Sequence, residues 1–310
     1  MRISFFSVAV DSWMLASRAF ICHEKKYRKK QQWRSFFAAL IHPELASNWF
    51  EILKSPDLSL VTLHRQRLYF KPFRVYMSIK WRAERRIKVI LDTYRFIMSK
   101  GEAFKRVITS CNGIEIARWQ LNTDMEFFLK LGYHDMHRKE GELVLFFECD
   151  QLGGTLATIA FSFEEMTPGK WVSRIACIQG HKINDSDVTN QVQKLLQGLR
   201  PKSFMTFAVQ ELSRQLGLTA IYGAGDAIHP YRKQHTIHLH WLHCIQFDYD
   251  AFWSECGGRQ DPDGWFELPL TLMHKDIQEI KTNKRSLYNR RYRLLDDISL
   301  KIADTVKNLI

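Results

Sequence analysis

Residues 143–178 read LVLFFECDQLGGTLATIAFSFEEMTPGKWVSRIACI, and this stretch decides the fold class. It contains three β-prone runs, at 143–149, 156–163 and 171–178, and two short turns rich in Gly and Pro separate them. Connectors of this length join antiparallel neighbours and are too short for a crossover helix. The stretch therefore predicts three consecutive strands of an antiparallel meander.

The flanking sequence extends this sheet in both directions. Residues 114–119 alternate as a strand does, and apolar spacing predicts helices over 188–196 and 203–216, the second ended by Gly217. Residues 219–223 then form another short β-prone run. A helical connection that returns the chain to the sheet is the ingredient of a right-handed crossover.

Both ends of the chain are predicted to be helical. The N-terminal third is basic, and one apolar face over 80–98 indicates a helix there. The C-terminus keeps one apolar face from residue 277 to 302. We therefore predict an α+β (mixed α/β) protein with a basic, mainly helical region over 1–105. A sheet-centred core with a C-terminal helix follows over 106–310.

The composition excludes some classes of protein, and the net charge indicates which kinds of binding partner to expect. The 310 residues are 45% hydrophobic, which excludes a disordered or collagen-like chain. The formal net charge is +12, and the excess of Lys and Arg is concentrated in residues 25–34, 65–106 and 281–293. Such surfaces attract nucleic acids, anionic lipids or phosphorylated ligands. No motif that reads nucleic acid is recognisable, so nucleic acid ranks below the other two.

Cysteine usage and the N-terminus predict the compartment. The six cysteines form no C-x-x-C pair and lie mostly in apolar runs, which is typical of reduced, buried thiols. Asp11 interrupts the short apolar stretch that begins the chain, so we do not expect a signal peptide. No run approaches the length that spans a bilayer. We expect a cytoplasmic protein whose membrane contact would be peripheral, at the inner membrane.

One candidate anion or cofactor site lies where the second predicted helix begins. Arg200 and Lys202 would place positive charge beside free backbone N–H groups, and Ser203 could cap the helix. The alternative is a capped helix with a basic entry and no ligand. The residues predicted to bind the anion are Gln179, Gly180, Gly198, Arg200, Lys202 and Ser203.

Three residues are candidates for acid–base catalysis. His229 follows a strand directly, and an imidazole titrates near neutral pH. Asp250 and Glu255, in an aromatic-rich segment, are the best-placed carboxylates. The alternatives are a hydrogen-bonded turn for the histidine and an ordinary core and surface for the acids.

The sequence contains two further clusters of candidate binding residues, one of histidines and one of basic residues. His238 and His240 would share one face of a strand, with His235 and His243 nearby, but no familiar ligand set is complete and we expect no metal. The basic segment 281–293 contains no acid and could lie on a polyanion or remain a solvated helix face. Its predicted polyanion-binding residues are Lys281, Lys284, Arg285, Arg290 and Arg291.

The chain resembles the bacterial VirK/YbjX family at several of these places. The resemblance is carried by Gly198–Lys202, His229–Arg232, Tyr249–Glu255 with Gly257-Gly258, Phe266–Leu270, and Ile280-Lys281 with Lys284-Arg285 and Tyr288–Tyr292. It implies a Gram-negative protein linked to virulence, envelope integrity and resistance to antimicrobial peptides. It supplies no catalytic residue.

The order of predicted elements is also similar to the core of an acyl-CoA N-acyltransferase. In that fold, N–H groups at a helix start hold the pyrophosphate of CoA, the cofactor this similarity implies. Gln179-Gly180 is only a fragment of the usual signature. Two hypotheses stay open: an acyltransferase-like enzyme acting on an envelope component, and a non-catalytic accessory protein on anionic lipid. The oligomeric state is not indicated.

Overall fold

A computed structural model describes residues 5–121, 125–180, 186–232, 247–272, 274–276 and 278–310. The chain forms two compact units, residues 1–75 with 82–87 and residues 76–81 with 88–310. The boundary between these two units falls earlier in the chain than residue 105, the domain boundary expected from the sequence. The boundary at residue 105 stays a prediction.

The first unit is helical, as its basic sequence predicted. Pro43 and Pro56 each occupy the first turn of a helix, where a missing N–H costs nothing. Trp49 is fully buried and donates its indole N–H to the Leu68 carbonyl at 3.3 Å. The elements are α1 Phe5–Ala19, α2 Lys25–Ile41, α3 Pro43–Leu53, α4 Pro56–His64, a 3-10 helix Gln66–Phe73, and the start of α5 Ala83–Met98.

The second unit is built on a sheet in which eight strands are described, in the order β1-β2-β3-β4-β5-β6-β8-β7. Pairing is antiparallel everywhere except between β5 and β6. The strands are β1 Ile114–Leu121, β2 Met125–Gly132, β3 Leu143–Cys149, β4 Gly154–Thr167, β5 Lys170–Gly180, β6 Ala220–Ala224, β7 Arg259–Gln260 and β8 Trp265–Leu268.

Aromatic side chains join this sheet to its helices. Phe147 on β3 stacks on Phe127 of the adjacent strand β2 and on Trp119 of β1, and the centroid of the Phe204 ring lies 4.7 Å from that of Phe147. Phe96 packs at 4.5 Å on Phe163. The helices that complete the unit are α6 Glu102–Thr109, α7 Ser186–Leu195, α8 Pro201–Gln215, α9 Tyr249–Glu255 and α10 Thr282–Leu309.

The coarse fold prediction is confirmed. The mixed α/β class, the antiparallel meander, the helical crossover into a parallel strand and the C-terminal helix are all present. The meander is longer than predicted, because β2 adds a strand that the sequence analysis did not identify. The C-terminal helix begins at Thr282, after Ile280, and residue 277 lies outside the described residues.

The aromatic cluster on β3 makes a stability prediction. Phe147→Ala should lower the free energy of unfolding by about 3–5 kcal/mol, because the ring is fully buried between strands and α8. Phe128→Ala is the matched control: that ring is only partly buried beneath Arg118 and Lys130, and its loss should cost about 1 kcal/mol. Urea unfolding measures both, and equal losses would contradict this packing.

Candidate functional site

The sheet opens between β5 and β6. The two strands pair only from Val172 to Ile175 on β5, against Ala220 to Gly223 on β6. Beyond Ile175, β5 continues to Gly180 and pairs, among the described strands, with β4 alone. One backbone edge of residues 176–180 therefore has no partner strand within the part of the chain that the structure describes. We call the space beside this edge the wedge.

Tyr249, the first residue of α9, occupies the base of the wedge. The Ile178 N–H donates to its hydroxyl at 3.4 Å, and that hydroxyl lies 3.7 Å from the Cys177 sulfur. Burial raises the pKa of Tyr249 well above its ordinary value, so the phenol keeps its proton. The sequence analysis did not single out this tyrosine, since one aromatic among several gives no sign of an unpaired strand edge beside it.

Helix α9 is held against β6 by two close backbone approaches. A Cβ at Gly223 would stand 2.5 Å from the Trp253 ring, and one at Gly225 would stand 2.6 Å from an Asp250 carboxylate oxygen. That carboxylate accepts the Asp226 N–H at 2.8 Å. Because neither glycine has a side chain, α9 can pack closely against the backbone here. Asp250, predicted as a catalytic acid, fastens this helix to the turn after β6.

Helix α8 begins beside the end of β5. Arg200 occupies its N-cap position and Pro201 its first turn, with no capping by a side chain. The expectation that Ser203 caps this helix is therefore wrong: Pro201 favours an earlier start, which places Ser203 inside the first turn. Arg200 pairs instead with Glu255 at 3.1 Å, and both side chains are largely exposed. Glu255, the other predicted carboxylate, is thus part of a surface ion pair.

A cavity of about 280 Å³ lies where β5 ends and α8 begins. It brings together Gly180, Arg200 and Lys202, three of the residues predicted to bind an anion. Its apolar lining comes from Leu156, Val188, Val192, Phe247 and Phe252. Gln179 pairs with Thr158 in the sheet, and Gly198 lies in the turn before α8 at φ +78°. The cavity therefore joins a positive end to an apolar wall.

Lys202 is the charged group most enclosed by this cavity. Its ammonium lies 3.3 Å from the centroid of the Phe247 ring, and ion pairs within the described ranges do not include it. Burial lowers the pKa of Lys202, since a desolvated ammonium is disfavoured. A bound anion would restore the lost stabilisation of this charge.

His229 lies against the same tyrosine. The two rings stack at 4.5 Å between centroids, and the imidazole is only 3% exposed. Its Nδ1 accepts the Tyr231 N–H at 3.3 Å, while Nε2 has no hydrogen-bond partner among the described residues. Burial lowers the pKa of His229 to about 4, so the ring is neutral at pH 7.

The basic residues of α10 are partly engaged within the protein. Arg290 and Arg291 donate to the side-chain and backbone oxygens of Gln197, at 3.1 and 3.0 Å. Arg285 donates to the Ile280 carbonyl at 3.1 Å. Lys281 and Lys284 are exposed. Arg290 and Arg291 thus brace the turn that leads into α8, while the two lysines face solvent.

The histidine run falls outside the described residues, so His235, His238, His240 and His243 receive no structural account. Among the described helices, none combines the length and the hydrophobicity of a membrane span.

Fold and site together define a mixed α/β protein whose sheet opens beside a basic, partly apolar cavity. The chain belongs to the family described as "Protein of unknown function (DUF535)", whose model matches residues 24–304. This confirms the VirK/YbjX resemblance.

Three relatives illustrate the match. The chain is 28% identical over 292 residues to "Uncharacterized protein YbjX" of Escherichia coli K12, covering 91% of this chain and 84% of the relative. An "Uncharacterized protein" of Haemophilus influenzae is 33% identical over 144 residues, 46% of each chain. A second from that organism is 34% identical over 131 residues, 42% of each chain. No solved structure matches.

The buried imidazole makes a pH prediction. The pKa of His229 is about 4 in the folded chain and about 6.5 when unfolded, so the unfolded chain binds more protons between these values. The free energy of unfolding should therefore fall by about 3 kcal/mol as the pH drops from 6.5 to 4. His229→Gln should flatten this part of the slope, measured by urea unfolding at several pH values.

His64→Gln provides the control, because this histidine is exposed on the first unit and should leave the slope unchanged. An identical slope in the wild-type chain and in His229→Gln would contradict a buried, neutral imidazole.

Proposed function

We propose that this protein is an acyl-CoA-dependent N-acyltransferase acting on an amine-bearing component of the bacterial envelope. The observation that carries the proposal is the wedge, with α8 beginning at its open end. The strand order, with one parallel pair at the crossover, is similar to the layout expected of that enzyme class. Through this reaction the protein would support virulence, envelope integrity and resistance to antimicrobial peptides, as the family resemblance implies.

The cavity supplies two kinds of contact that a CoA ester requires. Lys202, Arg200 and the free N–H groups at the start of α8 would face the pyrophosphate. The apolar wall, which includes Phe247 and Phe252, would face the aliphatic part of the ligand. Glu255 competes with the anion for Arg200, so Lys202 is the stronger determinant in this proposal.

His229 is the group that we propose as the proton acceptor for the attacking amine. It is neutral at pH 7, and because Nδ1 accepts the Tyr231 N–H the ring proton is on Nε2; the amine proton would therefore go to the Nδ1 lone pair, which would give up that contact. Asp250 and Glu255 fit this role less well, because the Asp250 carboxylate fastens α9 to the turn after β6 and Glu255 is paired with Arg200. An imidazole in this state can accept a proton without first losing one.

The transferase predicts binding of CoA esters. Acetyl-CoA or a longer acyl-CoA should raise the melting temperature of the purified chain, since a ligand that binds only the folded state stabilises it. Lys202→Gln should weaken binding roughly 10- to 100-fold, the range expected for losing a charged hydrogen bond. With labelled acyl-CoA and an envelope fraction, the label should move to an amine-bearing component.

Lys194→Gln is the matched control, because this lysine is exposed on α7 and is absent from the cavity lining. Absence of stabilisation by every CoA ester at millimolar concentration would contradict the proposal. Equal affinities for wild-type chain and Lys202→Gln would contradict the assigned site.

A second function, attachment to anionic lipid without catalysis, is favoured by the surface of α2. The solvent-facing side of this helix begins with basic residues and continues as an apolar stripe with Trp33, Phe37 and Ile41, which are 51%, 50% and 69% exposed. Large apolar side chains this exposed are typical of an interaction surface. The basic members of the same side are Lys25, Lys26, Lys29, Lys30 and Arg34.

A bilayer surface complements both halves of this helix. Lysines and arginines would face lipid phosphates while Trp33 and Phe37 enter the headgroup boundary. An open groove of about 1050 Å³ continues the stripe, and its lining includes Arg34, Arg82 and Arg86 together with Glu44 and Glu84. No acidic residue occurs between Lys25 and Ile41, so nothing on the helix repels an anionic surface.

This surface predicts selective vesicle binding. The chain should float with vesicles containing phosphatidylglycerol but not with pure phosphatidylcholine, and high salt should release it because screening weakens the attraction. The double variant Trp33→Ser and Phe37→Ser should lose binding. Leu63→Ser, at an exposed position away from the stripe, is the control. Binding that survives the double variant, or its absence with anionic vesicles, would contradict this assignment.

A further inference from the structure

A second polar site, outside the cavity, lies behind the wedge strand. It consists of His137, Glu140 and Cys177, each at most 3% exposed. His137 ends a 3-10 helix at Asp135–His137, Glu140 follows in the next turn, and Cys177 lies on β5 beyond its last pairing with β6. Each residue offers one ligand atom, and all three atoms lie within 4.8 Å of one another.

The turn that carries two of these residues is tightly placed. The His137 carbonyl accepts the N–H groups of Glu140 and Gly141, at 2.8 and 3.2 Å. Gly141 lies so close to β4 that a Cβ there would stand 2.4 Å from the Phe161 carbonyl oxygen. The two side chains are therefore presented to Cys177 by a fixed backbone.

The second nitrogen of the histidine has its own partner. Nδ1 faces a Glu140 carboxylate oxygen at 2.6 Å, while Nε2 lies 3.2 Å from the Thr158 hydroxyl. An outer partner on one ring nitrogen is the arrangement that orients a metal-ligating histidine through the other. The Tyr249 hydroxyl, 3.7 Å from the Cys177 sulfur, stands beside the cluster where a fourth ligand or a water would complete it.

The chemistry of this set points to a particular ion. A carboxylate excluded from water is costly unless a positive charge compensates it. One imidazole nitrogen, one carboxylate oxygen and one sulfur are ligands that zinc accepts together, usually in a tetrahedral site. Hard cations such as Mg²⁺ prefer oxygen alone.

We propose that His137, Glu140 and Cys177 bind one Zn²⁺ ion, which ties the 137–141 turn to the part of β5 that lies beyond its last pairing with β6. Binding would displace the Cys177 thiol proton to solvent and leave a thiolate on the metal. The proposal does not depend on acyl transfer, although the site lies beside Tyr249 at the base of the wedge. It departs from the sequence-based expectation of no metal, because Cys177 is 37 residues or more from the other two ligands and the set fits no familiar spacing.

The test uses Zn²⁺ and Co²⁺ as probes on the purified full-length chain. Elemental analysis should find one Zn²⁺ per chain, and Co²⁺ added after chelation should give a thiolate charge-transfer absorption band. Cys177→Ser should abolish the band. His137→Gln should weaken metal binding by more than the roughly 10- to 100-fold typical of losing an outer-shell partner. Zn²⁺ should also raise the melting temperature of the wild-type chain, and a chelator should reverse this.

Two matched variants keep the result specific. Cys149→Ser removes another buried thiol of the same sheet, and His134→Gln removes a neighbouring histidine; both should bind Zn²⁺ as the wild-type chain does. Wild-type chain without bound metal and without a Co²⁺ band would overturn the proposal in favour of a metal-free His137–Glu140 ion pair. A band that persists in Cys177→Ser would overturn it equally.

Discussion

The edge of β5 over residues 176–180, which no described strand pairs, is the constraint on which the rest of the second unit depends. A buried strand must find partners for its N–H and C=O groups, and β6 provides them only as far as Ile175. Beyond that point the Tyr249 hydroxyl meets the Ile178 N–H. The sheet can therefore open between β5 and β6 without leaving this N–H unsatisfied. The opening is the wedge.

Several sequence features serve this one opening. Gly223 and Gly225 let α9 approach the backbone after β6, and the Trp253 indole N–H bonds the Ala224 carbonyl at 3.0 Å. Pro201 starts α8 early enough to bring Lys202 to the cavity. The excess positive charge of the chain is thus found in two kinds of place. A few basic residues lie at the wedge, where Lys202 is partly enclosed, and a larger number face solvent on α2.

The sequence predicted the helices and strands better than it predicted which side chains contact one another. β-prone runs separated by short turns with Gly and Pro identified β3, β4 and β5, and the apolar spacing of α8 and α10 identified those helices, because local pattern suffices for both. β8 was missed, since four residues give too short a pattern. Arg200 and Lys202 were expected near a helix start, and α8 begins between them at Pro201; their role in binding an anion stays a prediction. The pairing of Glu255 with Arg200 and the role of Tyr249 depend on folding across tens of residues, which no spacing reveals.

Hydrogen exchange of the full chain, with and without acetyl-CoA, tests the central claim most directly. A ligand bound in the wedge should slow exchange of the amides in 176–180 and 199–204, because it covers the unpaired edge of β5 and the first turn of α8. The amides of α2 should be unchanged. Equal exchange at both wedge segments with and without saturating acetyl-CoA would contradict the assignment of this opening as the cofactor site.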